Sequence, residues 1–164
     1  MDEHVANRSR DLFNSGFWCA ESVLLAVSEH MGIDSDLIPK IATGFCSGMA
    51  RTGGQCGALS GAIMSVSLFT GRSSPEASVD PTYSKVRRIR HDFKEKFGAT
   101  DCVDLLGLDL ATEDGQRGFI ENNLIEKCLD YTEEATRMSF SLLDEEDSGK
   151  GENRMDQPSS NRFA

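Results

Sequence analysis

Residues 53–61 read Gly53-Gly54-Gln55-Cys56-Gly57-Ala58-Leu59-Ser60-Gly61, inside the longest stretch without a charged residue, between Arg51 and Arg72. That stretch is long enough to suggest a membrane span, but it carries five glycines and several Ser and Thr. It reads better as a glycine-rich loop feeding a buried helix over about Gln55 to Phe69, closed by Gly71. Apolar or small residues fall on every face of this helix, the pattern of a helix surrounded by others. Gly57 and Gly61, one turn apart, leave room for a neighbouring backbone. The stretch therefore predicts an all-α protein built around a central glycine-rich helix.

Working outward, helical periodicity recurs and no six-residue run alternates as a strand would. Helices are expected from about His4 to Asn14 and from Trp18 to Met31, the second capped by Gly32. The inner stripe of the second is Cys19, Val23, Ala26, Val27 and His30. A short helix through Leu37, Ile38, Ile41 and Phe45 follows, capped by Asp34 or Ser35. After a loop over 73–81, a fifth helix spans Thr82 to Phe97 with the stripe Val86, Ile89, Phe93 and Phe97, ending at Gly98. Cys102 to Leu106 forms a short turn or helix. The last helix runs from about Phe119 to Leu143 on the stripe Ile120, Leu124, Cys128, Tyr131, Ala135, Met138 and Leu142. The expected fold is a compact bundle of about five to six helices over 1–143. The polar segment 144–164 cannot bury enough apolar area to offset its ordering entropy, so it is expected as a disordered tail.

With 164 residues, 38% of them hydrophobic, the chain is one domain and needs neither disulfide nor metal merely to fold. Acidic residues (27) exceed basic ones (17), giving a net charge of −10. That balance argues against nucleic-acid binding, which needs a positive surface to displace counterions. The N-terminus MDEHVANRSR has no secretory signal and no inserted span is expected, so the chain reads as cytoplasmic. There thiols stay reduced, and cysteines serve as ligands, redox groups or packing.

The five cysteines are Cys19, Cys46, Cys56, Cys102 and Cys128. None forms a Cys-x-x-Cys pair, which removes zinc-ribbon, thioredoxin-type and ferredoxin-type runs. If they act together, folding must bring them together. Cys56 opens the central helix, where unpaired N–H groups bias a thiol toward thiolate. Cys102 follows Thr100-Asp101, a capping position, and opens its own short helix. Cys19 and Cys128 lie on core stripes. Phosphate-loop and Ser-His-Asp hydrolase readings lack their defining residues. His4, His30 and His91 share no motif, and Met31, Met49, Met64 and Met138 read as core filler.

The ordered cysteines carry a resemblance. An early Cys in Gly16-Phe17-Trp18-Cys19-Ala20, the box Cys56-Gly57-Ala58-Leu59-Ser60-Gly61, then Cys102 after Phe97-Gly98, and finally Cys128 resemble the C_GCAxxG_C_C family of "putative redox-active" proteins. Gly44-Phe45-Cys46-Ser47-Gly48-Met49 fits the segment before the box, with Cys46 where glycine is expected. The likeness covers roughly residues 5–140. It implies a small helical protein with a thiol redox or metal-cluster role.

On that basis Cys19, Cys56, Cys102 and Cys128 are expected to converge on one site. They would hold an iron–sulfur cluster that exchanges electrons with a partner protein, or bind zinc, or cycle as dithiol and disulfide with Cys56 as nucleophile and Cys102 alongside it. The competing reading is an interaction module with inert buried thiols. Its docking surface would be the basic fifth helix, with Lys85, Arg87, Arg88, Arg90, Lys94 and Lys96.

Overall fold

The computed structural model describes residues 2–152. Among these it is helical, with α1 (Asp2–Asn14), α2 (Cys19–His30), a 3-10 segment η1 (Lys40–Phe45), α3 (Cys46–Arg51), α4 (Gly57–Thr70), α5 (Asp80–Phe97), α6 (Cys102–Leu106), α7 (Glu113–Glu121) and α8 (Ile125–Glu152). No strand forms among the described residues; one isolated antiparallel bridge joins Gln55 to Asp101.

The helix carrying the Cys-Gly-Ala box, α4, packs against α2, α5 and α8. Its approach to α2 is close because Gly61 has no side chain: a Cβ there would fall 2.7 Å from Ala20 O and 2.9 Å from Val23 Cβ. Ala20, Val23, Ala58, Leu59, Ala62 and Val66 are fully buried between them. From α5, Ile89 and Phe93 are buried completely, each stabilising the fold by about 1.5–3 kcal/mol relative to exposure. Phe93, Phe97 and Tyr131 form an aromatic cluster that joins α5 to α8.

Several expected elements differ. The segment after Asp34 is not a regular helix with inward Leu37, Ile41 and Phe45; these are 65%, 50% and 37% exposed, and only the last part winds into a 3-10 turn. His30 is exposed at the end of α2 rather than in the core stripe, its ring edge-on to Phe140 at 4.7 Å. Met49 is 40% exposed rather than core filler.

The expected last helix is two helices. It breaks at Asn122–Leu124, where Asn123 takes a φ of 50°. Asn tolerates that left-handed conformation better than most residues, through local hydrogen bonding. The break turns Ile120 out to 78% exposure, so the stripe continues only from Leu124 onward. At the other end, α8 runs on to Glu152, past the boundary expected at Leu143. Residues 153–164 of the expected tail lie outside the described residues.

Candidate functional site

Cys56 is the residue that caps α4, with an extended backbone (φ −52°, ψ 131°). Its own N–H donates to Thr100 O at 2.8 Å, and the Cys102 N–H donates to Gly54 O at 2.8 Å. These two bonds and the Gln55–Asp101 bridge lay the glycine loop antiparallel to the segment that opens α6. Two cysteines 46 positions apart in sequence are thereby fixed side by side. Cys19 arrives as the first residue of α2, and Cys128 from the first turn of α8.

Cys19, Cys56, Cys102 and Cys128 line one cavity, together with Phe13, Trp18, Leu105, Phe119 and Tyr131. It encloses about 40 Å³, more than one water molecule requires. No carboxylate, imidazole or ammonium lines it. Tyr131 is anchored by its hydroxyl donating to Leu105 O at 3.3 Å.

The cover of the cavity is unusual. Ser47, Gly48, Met49, Ala50 and Arg51 all have positive φ, so α3 is a turn of left-handed helix. For residues with a Cβ this costs about 1–2 kcal/mol each, and it persists only where the surroundings over-determine it. Here Gly48 O accepts from both Thr52 N–H and Gly54 N–H at 3.2 Å, and Thr52 Oγ1 donates to Met49 O at 2.9 Å. Ser47 and Gly48 line the cavity. Gly48 is pressed on Cys102 so tightly that no side chain fits.

Glu21, 8% exposed, ties this cover to the start of α2. Its carboxylate accepts from Trp18 N–H at 2.8 Å and from Thr43 Oγ1 at 2.6 Å. The sequence reading passed over Glu21, although an acid three residues into a helix is a recognisable capping signal. Gly48, Gln55 and Arg90 were also missed as site supports. Arg90 donates to Gln55 Oε1, and Gln55 Nε2 donates to Ser60 Oγ at 3.0 Å, which braces the residue before Cys56.

Electrostatics correct one expectation. The N–H groups of Leu59 and Ala58 do favour a Cys56 thiolate, but burial outweighs them and pushes the thiol up to about 12. Burial likewise raises Cys102, and with the neighbouring Cys102 it pushes Cys128 up to about 12. Without a metal these thiols are protonated at neutral pH. At Cys56 the desolvation of the sulfur exceeds the favourable pull of the helix N-terminus.

The donor set suits a soft metal centre, since four thiols and no hard ligand face the cavity. It does not match a single tetrahedral ion in this arrangement. Zinc at about 2.3 Å from each sulfur needs thiols roughly 4 Å apart, and no three cysteines have sulfurs all within 4.8 Å of one another. The one group that meets this criterion among the described residues is His91, Asp92 and Glu95, on the outer face of α5.

Cys46 is buried but does not line the cavity. Its thiol donates to Ala42 O at 3.7 Å and is pushed up by interaction with Cys19 and by burial. On the basic helix, Lys96 pairs with Glu134 at 2.8 Å and Arg88 with Asp92 at 3.7 Å, while Lys85 donates to Leu142 O at 3.2 Å. Much of that positive charge is engaged inside the fold.

A family model described as "Putative redox-active protein (C_GCAxxG_C_C)" matches residues 17–142. A protein of Archaeoglobus fulgidus, named "Uncharacterized protein", is 30% identical over 151 residues, spanning 86% of this chain and 94% of the relative. No solved structure matches. No helix among the described residues is long and apolar enough to cross a membrane.

Proposed function

This chain belongs to the C_GCAxxG_C_C family, and from that premise we propose that Cys19, Cys56, Cys102 and Cys128 hold an iron–sulfur cluster and that the protein is a one-electron carrier. The observation that carries this reading is the shared apolar cavity. Four thiols from separate elements face it, and no three of them are close enough for one ion. Four cysteines are the ligand set of such clusters, and the bound group would supply reversible one-electron exchange.

The chain's own residues do the rest. The Gly54–Cys102 and Cys56–Thr100 hydrogen bonds hold two ligands in fixed relation before anything binds. Cys56, Cys102 and Cys128 arrive protonated, so binding releases their protons. Phe13, Leu105, Phe119 and Tyr131 give the cavity an apolar wall around the sulfurs. Trp18, adjacent to Cys19 in the chain, lines the cavity and is 48% exposed, so it connects the site to the surface that a partner protein would meet.

The dithiol–disulfide reading is less well supported. Attack on an external disulfide needs a thiolate, and burial keeps Cys56 and Cys102 protonated. The interaction-module reading leaves the grouping of the four thiols without a cause.

The test is anaerobic purification and reconstitution with iron and sulfide, followed by visible absorption, electron paramagnetic resonance and metal analysis. Bound iron and sulfide with a reducible visible band are expected. One zinc per chain with no iron uptake, or a reversible two-electron thiol couple without metal, would overturn the proposal.

A further inference from the structure

Cys46 is the one cysteine outside the cavity, and the cavity mechanism leaves it unused. It lies against Cys19. A Cβ at position 57 would fall 2.3 Å from Cys19 Sγ and 3.1 Å from Cys46 Cα. Both residues therefore press on the same point of Gly57, and only a residue without a side chain allows them to meet there. The two thiols also interact directly.

The backbone on both sides is clamped. Trp18, next to Cys19, and Thr43, three residues before Cys46, share the Glu21 carboxylate. The two cysteines therefore meet at a junction held by hydrogen bonds on both sides.

We propose that Cys19 and Cys46 form a disulfide when the metal-free protein meets a peroxide, and that this bond withdraws Cys19 from the cavity and so gates its loading. The gating half rests on the reading of Cys19 as a cluster ligand. Cys19 lines the cavity, which has room for a molecule the size of hydrogen peroxide, and Cys46 does not, so Cys19 is the member of this pair that meets the peroxide. Its thiolate sulfur attacks one peroxide oxygen, the O–O bond breaks, and the departing oxygen leaves as water after protonation, giving a sulfenic acid. The Cys46 thiol then attacks that sulfur and gives its proton to the departing hydroxyl, so the S–O bond breaks, the S–S bond forms and a second water leaves. Two thiols lose two electrons in all, and one peroxide becomes two waters. A dithiol reductant reverses the bond and returns Cys19 to the cavity.

Cys46 would also protect its neighbour. A sulfenic acid without a resolving thiol goes on to sulfinic acid, which dithiol reductants do not repair.

The experiment treats chelator-stripped protein with hydrogen peroxide, blocks remaining thiols by alkylation and maps unreduced tryptic peptides. Cys19 lies on peptide 11–40 and Cys46 on peptide 41–51. The expected product is these two peptides linked. Iron uptake on reconstitution should be lost after peroxide and restored by dithiothreitol. In the Cys46→Ser protein, peroxide should give a peptide 11–40 carrying two added oxygens, and dithiothreitol should not restore uptake. Links among Cys56, Cys102 and Cys128 in place of the Cys19–Cys46 link would overturn the proposal, as would full rescue of Cys46→Ser by dithiothreitol. A Cys19–Cys46 link in a chain that takes up no iron even when reduced would uphold the disulfide and overturn the cluster reading instead.

Discussion

Gly48 stands directly over Cys102: a Cβ at position 48 would lie 2.4 Å from Cys102 Cβ and 3.2 Å from its sulfur. The contact joins the left-handed turn to the first residue of α6, so the cover and one candidate ligand hold a single geometry. The φ of 67° at Gly48 adds a second reason for glycine there.

Gly48→Ala should therefore pay twice, about 1–2 kcal/mol for the backbone and more for the displaced Cys102. Gly98→Ala is the control, because Gly98 also has positive φ (84°) but meets nothing within 4 Å. Thermal melts should show a larger drop for Gly48→Ala, and reconstitution should show iron loss for that variant alone. Equal melting temperatures and equal iron contents would refute the packing argument.

Cys56→Ser should abolish bound iron, whereas Cys46→Ser should retain most of it in peroxide-free buffer. The first thiol lines the cavity and the second does not. Serine is nearly isosteric, and circular dichroism checks that both variants fold. Iron analysis showing the opposite pattern would move the site to Cys46.

Alkaline pH should destabilise the metal-free protein through its thiols. Cys56 and Cys128 are raised from 9.0 to about 12 in the fold. Their contribution is complete below pH 9 and is lost as pH rises toward 12, because the unfolded chain gives up protons that the fold retains. Melting temperature should fall across that window in wild type and fall less in the Cys56→Ser/Cys128→Ser protein. Parallel declines would show that other groups control alkaline unfolding.

Glu21→Gln should loosen the junction of α2 and η1. It removes a charged acceptor from two hydrogen bonds in a buried place, a loss of about 1–3 kcal/mol. Hydrogen exchange should quicken at Trp18 and through residues 43–51, with α5 unchanged. Uniform protection across the chain would mean that the carboxylate does not clamp the cover.

A chain ending at Asp144 should keep its melting temperature to within a few degrees, as its polar continuation predicts. Removing Leu142 and Leu143 as well should lower it clearly, since both are buried, at 5% and 4% exposure. A large drop on the first truncation would show that residues after 144 pack on the domain.

Helical class was readable because it depends on local spacing. The stripe Ile89–Phe93 and the boundaries of Cys102–Leu106 need only a 3.6-residue period and nearby caps. The Cys-Gly-Ala box marked Cys56 as a helix opening for the same reason, and the order of the cysteines carried the family likeness. Periodicity misled where one residue changed the path. Asn123 breaks the apparent last helix without a proline to announce it, and Ile120 turns outward as a result.

What the sequence determined by itself is thus the helical class, the glycines that let α4 meet its neighbours, and the residues able to act as soft ligands. The tertiary structure alone decided that Cys56 and Cys102 stand side by side across a two-residue bridge, that Cys46 leans on Cys19 instead of joining the cavity, and that a left-handed turn closes over them. It also decided that the Cys56 thiol is pushed up rather than down. The physical reason is range. Helix formation and capping act over a few residues, whereas burial and the meeting of distant thiols depend on how the helices pack.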